Sequence, residues 1–384
     1  MIHNMKRILF MAVSLAILCS CGQKTAPSSS GSRIGYSLSF FKSVDAVSNK
    51  GSNVVVSPYS AGVALSMLME GAEGQTRVEI DNALNGCLFA SDRPDFGDSI
   101  VFKSANSVWI NDDFSIRNRY VDILQKNYDA LAVTQDFSDP ATLHAINNWC
   151  SEHTDGKISR ILNNLSPQMA MILANAIYFN ADWETPFNEN QTRKAPFYGR
   201  SGETEVDMMY RKGRYNYAEY QGYQLIELPY SGGQCSMFVV LPPEGTDIDR
   251  SVSYIDESVF NAAVKMLSPA TVAFRMPKAK METSLSLNAA LKNMGVRTAY
   301  SSAADFSGIA AMGPLVLDDV AQKCYVDISE RGTEAAAVTV AVVALTSVRP
   351  EPQAKVMTVN RPYVFFIADK ELENILFVGK VVNL

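Results

Sequence analysis

An α+β fold is predicted for this chain of 384 residues. Helix starts and helical apolar spacing fill the first third, while short apolar runs bounded by Gly, Pro and Ser dominate later. Helical and strand segments are grouped rather than alternating, which disfavours βαβ units. At 47% hydrophobic residues the chain can bury a large core. No repeat is visible, and no linker-like stretch divides the chain after Ser32, so residues 33–384 read as one domain.

Residues 1–20 read as a signal peptide. Lys6-Arg7 give a basic start, and Ile8 to Leu18 form an apolar run of eleven, too short to span a bilayer. Leu18-Cys19-Ser20-Cys21 reads as a lipobox with Cys21 as the lipid-bearing first residue of the mature chain. The expectation is a bacterial protein held at the cell envelope, on the outer membrane or cell surface, touching membrane through its lipid alone. Residues 21–32 are small and Ser-rich and suit a flexible tether.

Within the domain, Ser57-Pro58 starts a helix with proline at its first position, and Gly71 ends it. Thr76-Arg77-Val78-Glu79 reads as a capping box opening another helix. Asn118 to Leu131 and Ala141 to His153 carry helical spacing. Met169 to Phe179 is rich enough in apolar residues for a buried strand. Tyr223 to Pro229 and Cys235 to Leu241 flank Tyr230-Ser231-Gly232-Gly233, a hairpin signal. Leu285 to Met294 reads as a helix stopped by Gly295. Strands are expected at Lys323 to Ser329, Tyr363 to Ile367 and Ile375 to Val382.

Several chemistries are disfavoured. The net charge is −6, and loss of Lys6 and Arg7 leaves 32 basic against 40 acidic residues. No basic patch interleaves with aromatics, so no nucleic acid partner is expected. Cys87, Cys150, Cys235 and Cys324 are widely spaced without a CxxC and read as free and buried. His144 and His153 read as surface histidines. G-x-S-x-G and H-x-x-x-H are missing, and Gly71-Ala-Glu-Gly74 lacks the Lys of a phosphate loop, so no catalytic residues, metal or cofactor are expected. Asn164-Leu-Ser166 and Asn190-Gln-Thr192 match glycosylation acceptors by coincidence.

The most informative stretch is Glu330 to Val348. Small and β-branched residues fill it, and after Glu334 no charge occurs before Arg349 and no proline before Pro350. By composition it is either a strand already in a sheet or one able to join a sheet. If Thr333 faces inward, so do Ala335, Ala337, Thr339, Ala341 and Val343. Glu334, Ala336, Val338, Val340 and Val342 then face outward, and no proline breaks the ladder.

Motifs spread along the domain carry a resemblance. They include Asn53-Val-Val-Val-Ser-Pro-Tyr-Ser60, Gly71-Ala-Glu-Gly-Gln-Thr76, Ile146-Asn-Asn-Trp-Cys150, and Asn175-Ala-Ile-Tyr-Phe179 with Trp183. Glu227-Leu-Pro-Tyr230, Ala304-Asp-Phe-Ser-Gly-Ile309, Gly332-Thr-Glu-Ala-Ala-Ala337, Asn360-Arg-Pro-Tyr363 and Leu376-Phe-Val-Gly379 follow in order. In order and spacing they resemble the serpins, suicide protease inhibitors, over roughly Ile34 to Leu384.

The resemblance implies N-terminal helices around a large central sheet, smaller C-terminal sheets and an exposed reactive loop at about residues 330–358. It implies a monomer that traps proteases as acyl-enzymes when the cleaved loop inserts into the central sheet. The alternative is a non-inhibitory scaffold lipoprotein of the same fold. It assigns a hinge at Glu330, Gly332, Thr333, Glu334, Ala335, Ala336 and Ala337, with Gly332 giving the backbone freedom to turn. It assigns sheet-opening and shutter positions to Ser57, Ser60, Asn175, Trp183, Gln322 and Lys323.

The resemblance implies a reactive bond after the seventeenth residue counted from Glu330 as the first, which is Thr346, so the bond it implies is Thr346–Ser347. Val343, Ala344, Leu345 and Arg349 are the alternatives. Thr346 suits elastase-like or subtilisin-like serine proteases, Leu345 papain-like cysteine proteases, and Arg349 trypsin-like enzymes. The chain departs from the family pattern in three places. Gln322 stands where a histidine is usual, so the pH response of that cluster is expected to be lost. Asn180-Ala181 replaces Lys-Gly. Pro362 lies 30 positions after Gly332, more than is common.

Overall fold

The computed structural model describes residues 31–89, 94, 96–311, 313–333 and 353–384. Helix α1 (Arg33–Val47) is capped by Ser32, whose hydroxyl accepts from Gly35 N. Strand β1 (Val54–Val56) leads into α2 (Pro58–Gly71). Ser57 caps α2 by accepting from Ser60 N at 3.1 Å, and Pro58 fills the first turn where its missing N–H costs nothing. Nearly every residue of α2 is buried, in keeping with a helix apolar on all faces.

Helix α3 spans Gly74–Ala83, which corrects the expected capping box. Thr76 lies inside the helix, and its hydroxyl accepts from Asp305 N. Glu79 instead accepts from Arg297 N, Thr298 N and the Thr298 hydroxyl. Both side chains serve tertiary partners that a local motif does not reveal. Strand β2 (Ile100–Asn111) follows, a twelve-residue strand in the part of the chain read as helical. Helix α4 (Asn118–Tyr128) ends at left-handed Asp129, three residues short of the expected Leu131, which opens β3 (Leu131–Gln135). Helix α5 (Pro140–His153) and β4 (Met171–Asp182) then appear close to where they were read.

The next strands are β5 (Arg193–Gly199), β6 (Gly202–Tyr220), β7 (Tyr223–Pro229) and β8 (Cys235–Leu241). Strands β7 and β8 form the expected antiparallel hairpin pair. Helices α6 (Ile248–Tyr254) and α7 (Glu257–Lys265) precede β9 (Ser268–Pro277) and β10 (Ala279–Ser286). Helix α8 is confined to Asn288–Asn293, because Leu285 and Ser286 pair in β10 with Gln322 and Ala321. The chain continues through β11 (Asp319–Ile328), β12 (Gly332–Thr333), β13 (Lys355–Thr358), β14 (Tyr363–Asp369) and β15 (Ile375–Val381).

The strands form two sheets. The six-stranded sheet has the order β10-β11-β12-β4-β2-β3. The nine-stranded sheet has the order β1-β15-β14-β8-β7-β6-β9-β13, with β5 added to β6. Strand β4 explains why its sequence is apolar throughout rather than alternating. Ile172, Ala174 and Ala176 face a smaller core with Ile146 and Cys150 of α5. Met171, Leu173, Ile177, Phe179 and Ala181 face the main core. Asn175 shares the main-core face by alternation, and β11 sets Gln322 directly opposite it.

Candidate functional site: the hinge and the polar cluster under the central sheet

Asn175 and Gln322 meet over the start of α2. Gln322 Nε2 donates to Asn175 Oδ1 at 2.7 Å and to Ser57 O at 3.0 Å, while Gln322 Oε1 accepts from Ser57 N at 3.1 Å. Asn175 Nδ2 donates to the Ser60 carbonyl and hydroxyl and to Asn106 Oδ1. Ser60 and Ser104 hydroxyls share a 2.8 Å bond. Ser57, Ser60, Asn106, Asn175 and Gln322 are all buried, and each amide has partners on both its donor and acceptor sides. The cluster ties β11, β4 and β2 to α2 without a titrating carboxylate or imidazole. The nearby Cys324 thiol is pushed up by burial.

Lys323 does not join this cluster. One residue along β11 it faces the other way, pairing with Glu282 at 2.6 Å and donating to Arg160 O at 3.0 Å.

The second part of the site is the junction where β11 leaves the sheet. Strands β11 and β4 pair directly in parallel from Asp319↔Ile172 to Tyr325↔Tyr178. Above that they part, and Gly332–Thr333 sits between them, with Thr333 opposite both Ile328 and Ala181. Thr333 faces inward and is fully buried, and its hydroxyl shares a 2.7 Å bond with the Tyr230 phenol. Only glycine fits at 332, since a Cβ there would lie 2.1 Å from Ala181 O.

Trp183 organises the same junction. Its indole Nε1 donates to Ser329 O at 3.0 Å and its backbone N to Arg331 O at 2.7 Å. Its ring stacks on Tyr230 with centroids 4.6 Å apart. Glu330 is buried, accepts from the Thr192 hydroxyl at 2.8 Å and pairs with Lys278 Nζ at 2.9 Å. Burial alone would raise the Glu330 pKa. The Lys278 and Thr192 hydrogen bonds outweigh it and hold the carboxyl below its ordinary value. The same Glu330 hydrogen bond raises Lys278.

Hinge positions Glu334, Ala335, Ala336 and Ala337, reactive-bond positions Thr346 and Ser347, and alternatives Val343, Ala344, Leu345 and Arg349 lie outside the described residues. Cys21 and the tether as far as Ser30 do as well. Cys87, Cys150, Cys235 and Cys324 are free and buried. His144 and His153 are exposed, with His153 stacked on Trp149.

A family model described as serpin (serine protease inhibitor) matches residues 34–384. The chain belongs to the serpin family. This serpin is 32% identical to an uncharacterised serpin-like protein of Thermococcus kodakarensis, covering 86% of this chain and 80% of the relative. It is also 32% identical to Serpin B8 of Bos taurus, covering 85% and 92%. Among solved structures it is similar to native tengpin, a thermophilic serpin, with TM-score 0.84, 27% identity, and 92% and 93% coverage. It is also similar to Serpin48 of Tenebrio molitor, with TM-score 0.81, 30% identity, and 92% and 97% coverage. Serpins are in general protease inhibitors rather than enzymes.

Sequence reasoning missed Tyr230, Lys278, Thr192, Ser104 and Asn106 as members of this serpin's site. Tyr230 stood in a quoted motif but carried no sign of a hinge partner. Asn106 and Ser104 lie on β2, a strand that was not predicted, and Lys278 carries no local motif.

Proposed function

We propose that this serpin is a suicide inhibitor that traps proteases covalently, with Thr346–Ser347 as the reactive bond. The observation that carries the reading is the seat of Gly332–Thr333 between β11 and β4. The two flanking strands part only at this end. Below it, direct parallel pairing would have to open to admit a strand antiparallel to both. Continued in the observed register, residue 335 would lie opposite Phe179 and residue 343 opposite Met171, the first residue of β4. The proline-free stretch of the loop therefore matches the length of the strand beside which it would lie.

Small and β-branched residues at 335, 337, 339, 341 and 343 would enter the core face without overpacking. Each valine buried contributes about 1.5–3 kcal/mol, and every added residue gains ladder hydrogen bonds. A protease acylated at Thr346 would be carried along as the strand enters. Hydroxyl or small aliphatic residues around the bond favour elastase-like and subtilisin-like serine proteases. A lipid on Cys21 would place this trap at the bacterial envelope, where it meets foreign proteases.

The test is to mix the purified protein with an elastase, a subtilisin, a papain and a trypsin, followed by SDS gels and mass spectrometry of the released C-terminal peptide. An SDS-stable complex with cleavage after Thr346 is the expected outcome. Cleavage by all four without a covalent band would overturn trapping of these classes and favour the scaffold alternative. Incorporation of labelled fatty acid, lost in Cys21→Ala, tests the anchor separately.

A further inference from the structure

We propose that a hollow beside the hinge binds a small amphipathic anion, a carboxylate or sulfonate on an aromatic or aliphatic body, and that its occupant steadies the hinge. The hollow has a volume of about 290 Å³, near the lower end of small-molecule sites. Trp183, Phe187, Leu228, Pro229 and Pro269 give it apolar walls, and Arg211 and Arg214 give it two guanidinium groups.

Arg211 is held ready. Its Nε donates to the Tyr215 hydroxyl at 2.7 Å, a second N–H donates to Thr185 O, and the guanidinium lies over the Tyr215 and Phe187 rings at 4.5 and 5.4 Å. Arg214 is exposed and makes no hydrogen bond or ion pair among the described residues. Two carboxylates also line the hollow. Glu227 is already engaged, its oxygens accepting from Ser236 Oγ and Asn216 Nδ2 at 2.7 Å each. Glu184 is exposed and opposes an anion. The arginines suit the oxygens of a carboxylate or sulfonate, and the walls suit the body that carries them.

The link to the hinge is the segment 183–187. One side lines the hollow through Trp183, Glu184, Thr185 and Phe187. The same segment holds the three residues before Gly332: Trp183 Nε1 binds Ser329 O, Phe187 N binds Glu330 O, and Trp183 N binds Arg331 O, at 3.0, 2.7 and 2.7 Å. A ligand that needs this segment in place therefore favours the seated hinge by its difference in affinity for seated and released states. The binding half stands without the trapping reading. Only a consequence for loop insertion rests on that reading.

The experiment titrates the purified protein with 8-anilinonaphthalene-1-sulfonate, using N-phenyl-1-naphthylamine as the neutral comparator, and follows hydrogen exchange over residues 183–187 and 329–333. Saturable sulfonate binding stronger than that of the neutral amine is expected, with slower exchange in both segments. Arg214→Gln is expected to weaken the sulfonate about fivefold or more, and Glu184→Gln to tighten it about twofold. Thr185→Trp, which crowds the hollow and keeps both arginines, is expected to abolish binding. Equal affinity for the neutral amine, or unchanged binding in Arg214→Gln and Thr185→Trp, would overturn the site. Binding without slowed exchange at 329–333 would overturn the link to the hinge. Neither readout involves a protease, so a failure to trap proteases leaves both results decisive.

Discussion

The Tyr230 phenol and the Thr333 hydroxyl hold the second residue of β12 in place through a 2.7 Å hydrogen bond in a fully buried setting. Tyr230 in turn stacks on Trp183, which bonds the backbone of Ser329 and Arg331. The hinge is thus seated by one aromatic pair and by backbone bonds on both sides. Burial raises the Tyr230 phenol well above its ordinary range, so it stays protonated and able to donate.

Tyr230→Phe removes one partner and leaves the Thr333 hydroxyl buried without it. The expected cost is about 1–3 kcal/mol, with faster exchange of the Thr333 amide. Thr333→Val in the same background should recover part of this loss. A double-mutant cycle read by thermal unfolding checks the coupling, and strictly additive losses would contradict the bond's role.

Gly332→Ala places a methyl group against Ala181 O and the Asp182 backbone, where no flexible side chain can yield. The hinge residues should leave the sheet, with a stability loss of about 1–3 kcal/mol. Loss of exchange protection confined to residues 329–333 and the end of β4 would support this. Unchanged protection would refute it.

The Glu330–Lys278 pair predicts a definite pH window. Glu330 is lowered in the folded state, so its contribution is present above its ordinary value of 4.5 and is lost as pH falls through the folded value. Lys278 is raised, so its contribution is present below its ordinary 10.5 and is lost as pH rises beyond it. Between these limits the pair should be insensitive to pH. Lys278→Met strands the buried Glu330 carboxylate, at a cost of about 1–3 kcal/mol at pH 7 that shrinks below pH 4.5. Thermal unfolding of wild type and variant from pH 3 to 8 measures it.

Gln322 makes the polar cluster blind to pH near neutrality. Gln322→His should introduce a buried imidazole that is favoured neutral, because protonation would turn the acceptor facing Ser57 N into a donor. The variant's folded imidazole pKa would then lie below the unfolded one, and its stability should fall as pH drops below about 6.5. The wild-type midpoint should stay flat from pH 5.5 to 7.5. A matching slope in both proteins would count against this.

Much was legible where a signal is local. Ser57-Pro58 marked the start of α2, and the glycines of the 230–235 turn marked the β7–β8 hairpin. Alternation fixed which loop residues share a face with Thr333, and the structure put that residue on the inward face. Local reading failed where one segment supports two structures. Leu285 suits a helix as well as the strand β10 it joins, and Thr76-x-x-Glu79 has the form of a cap while binding distant partners.

The sequence by itself determined the α+β class, the membership of the serpin family carried by ordered motifs, and a loop whose residues can occupy a strand. Only the tertiary structure decided which groups meet. Tyr230 and Thr333 are 103 residues apart, and Asn175 and Gln322 are 147 apart. Propensity and capping act within a few residues, whereas such pairs depend on the register between strands, and neither strand carries that register alone.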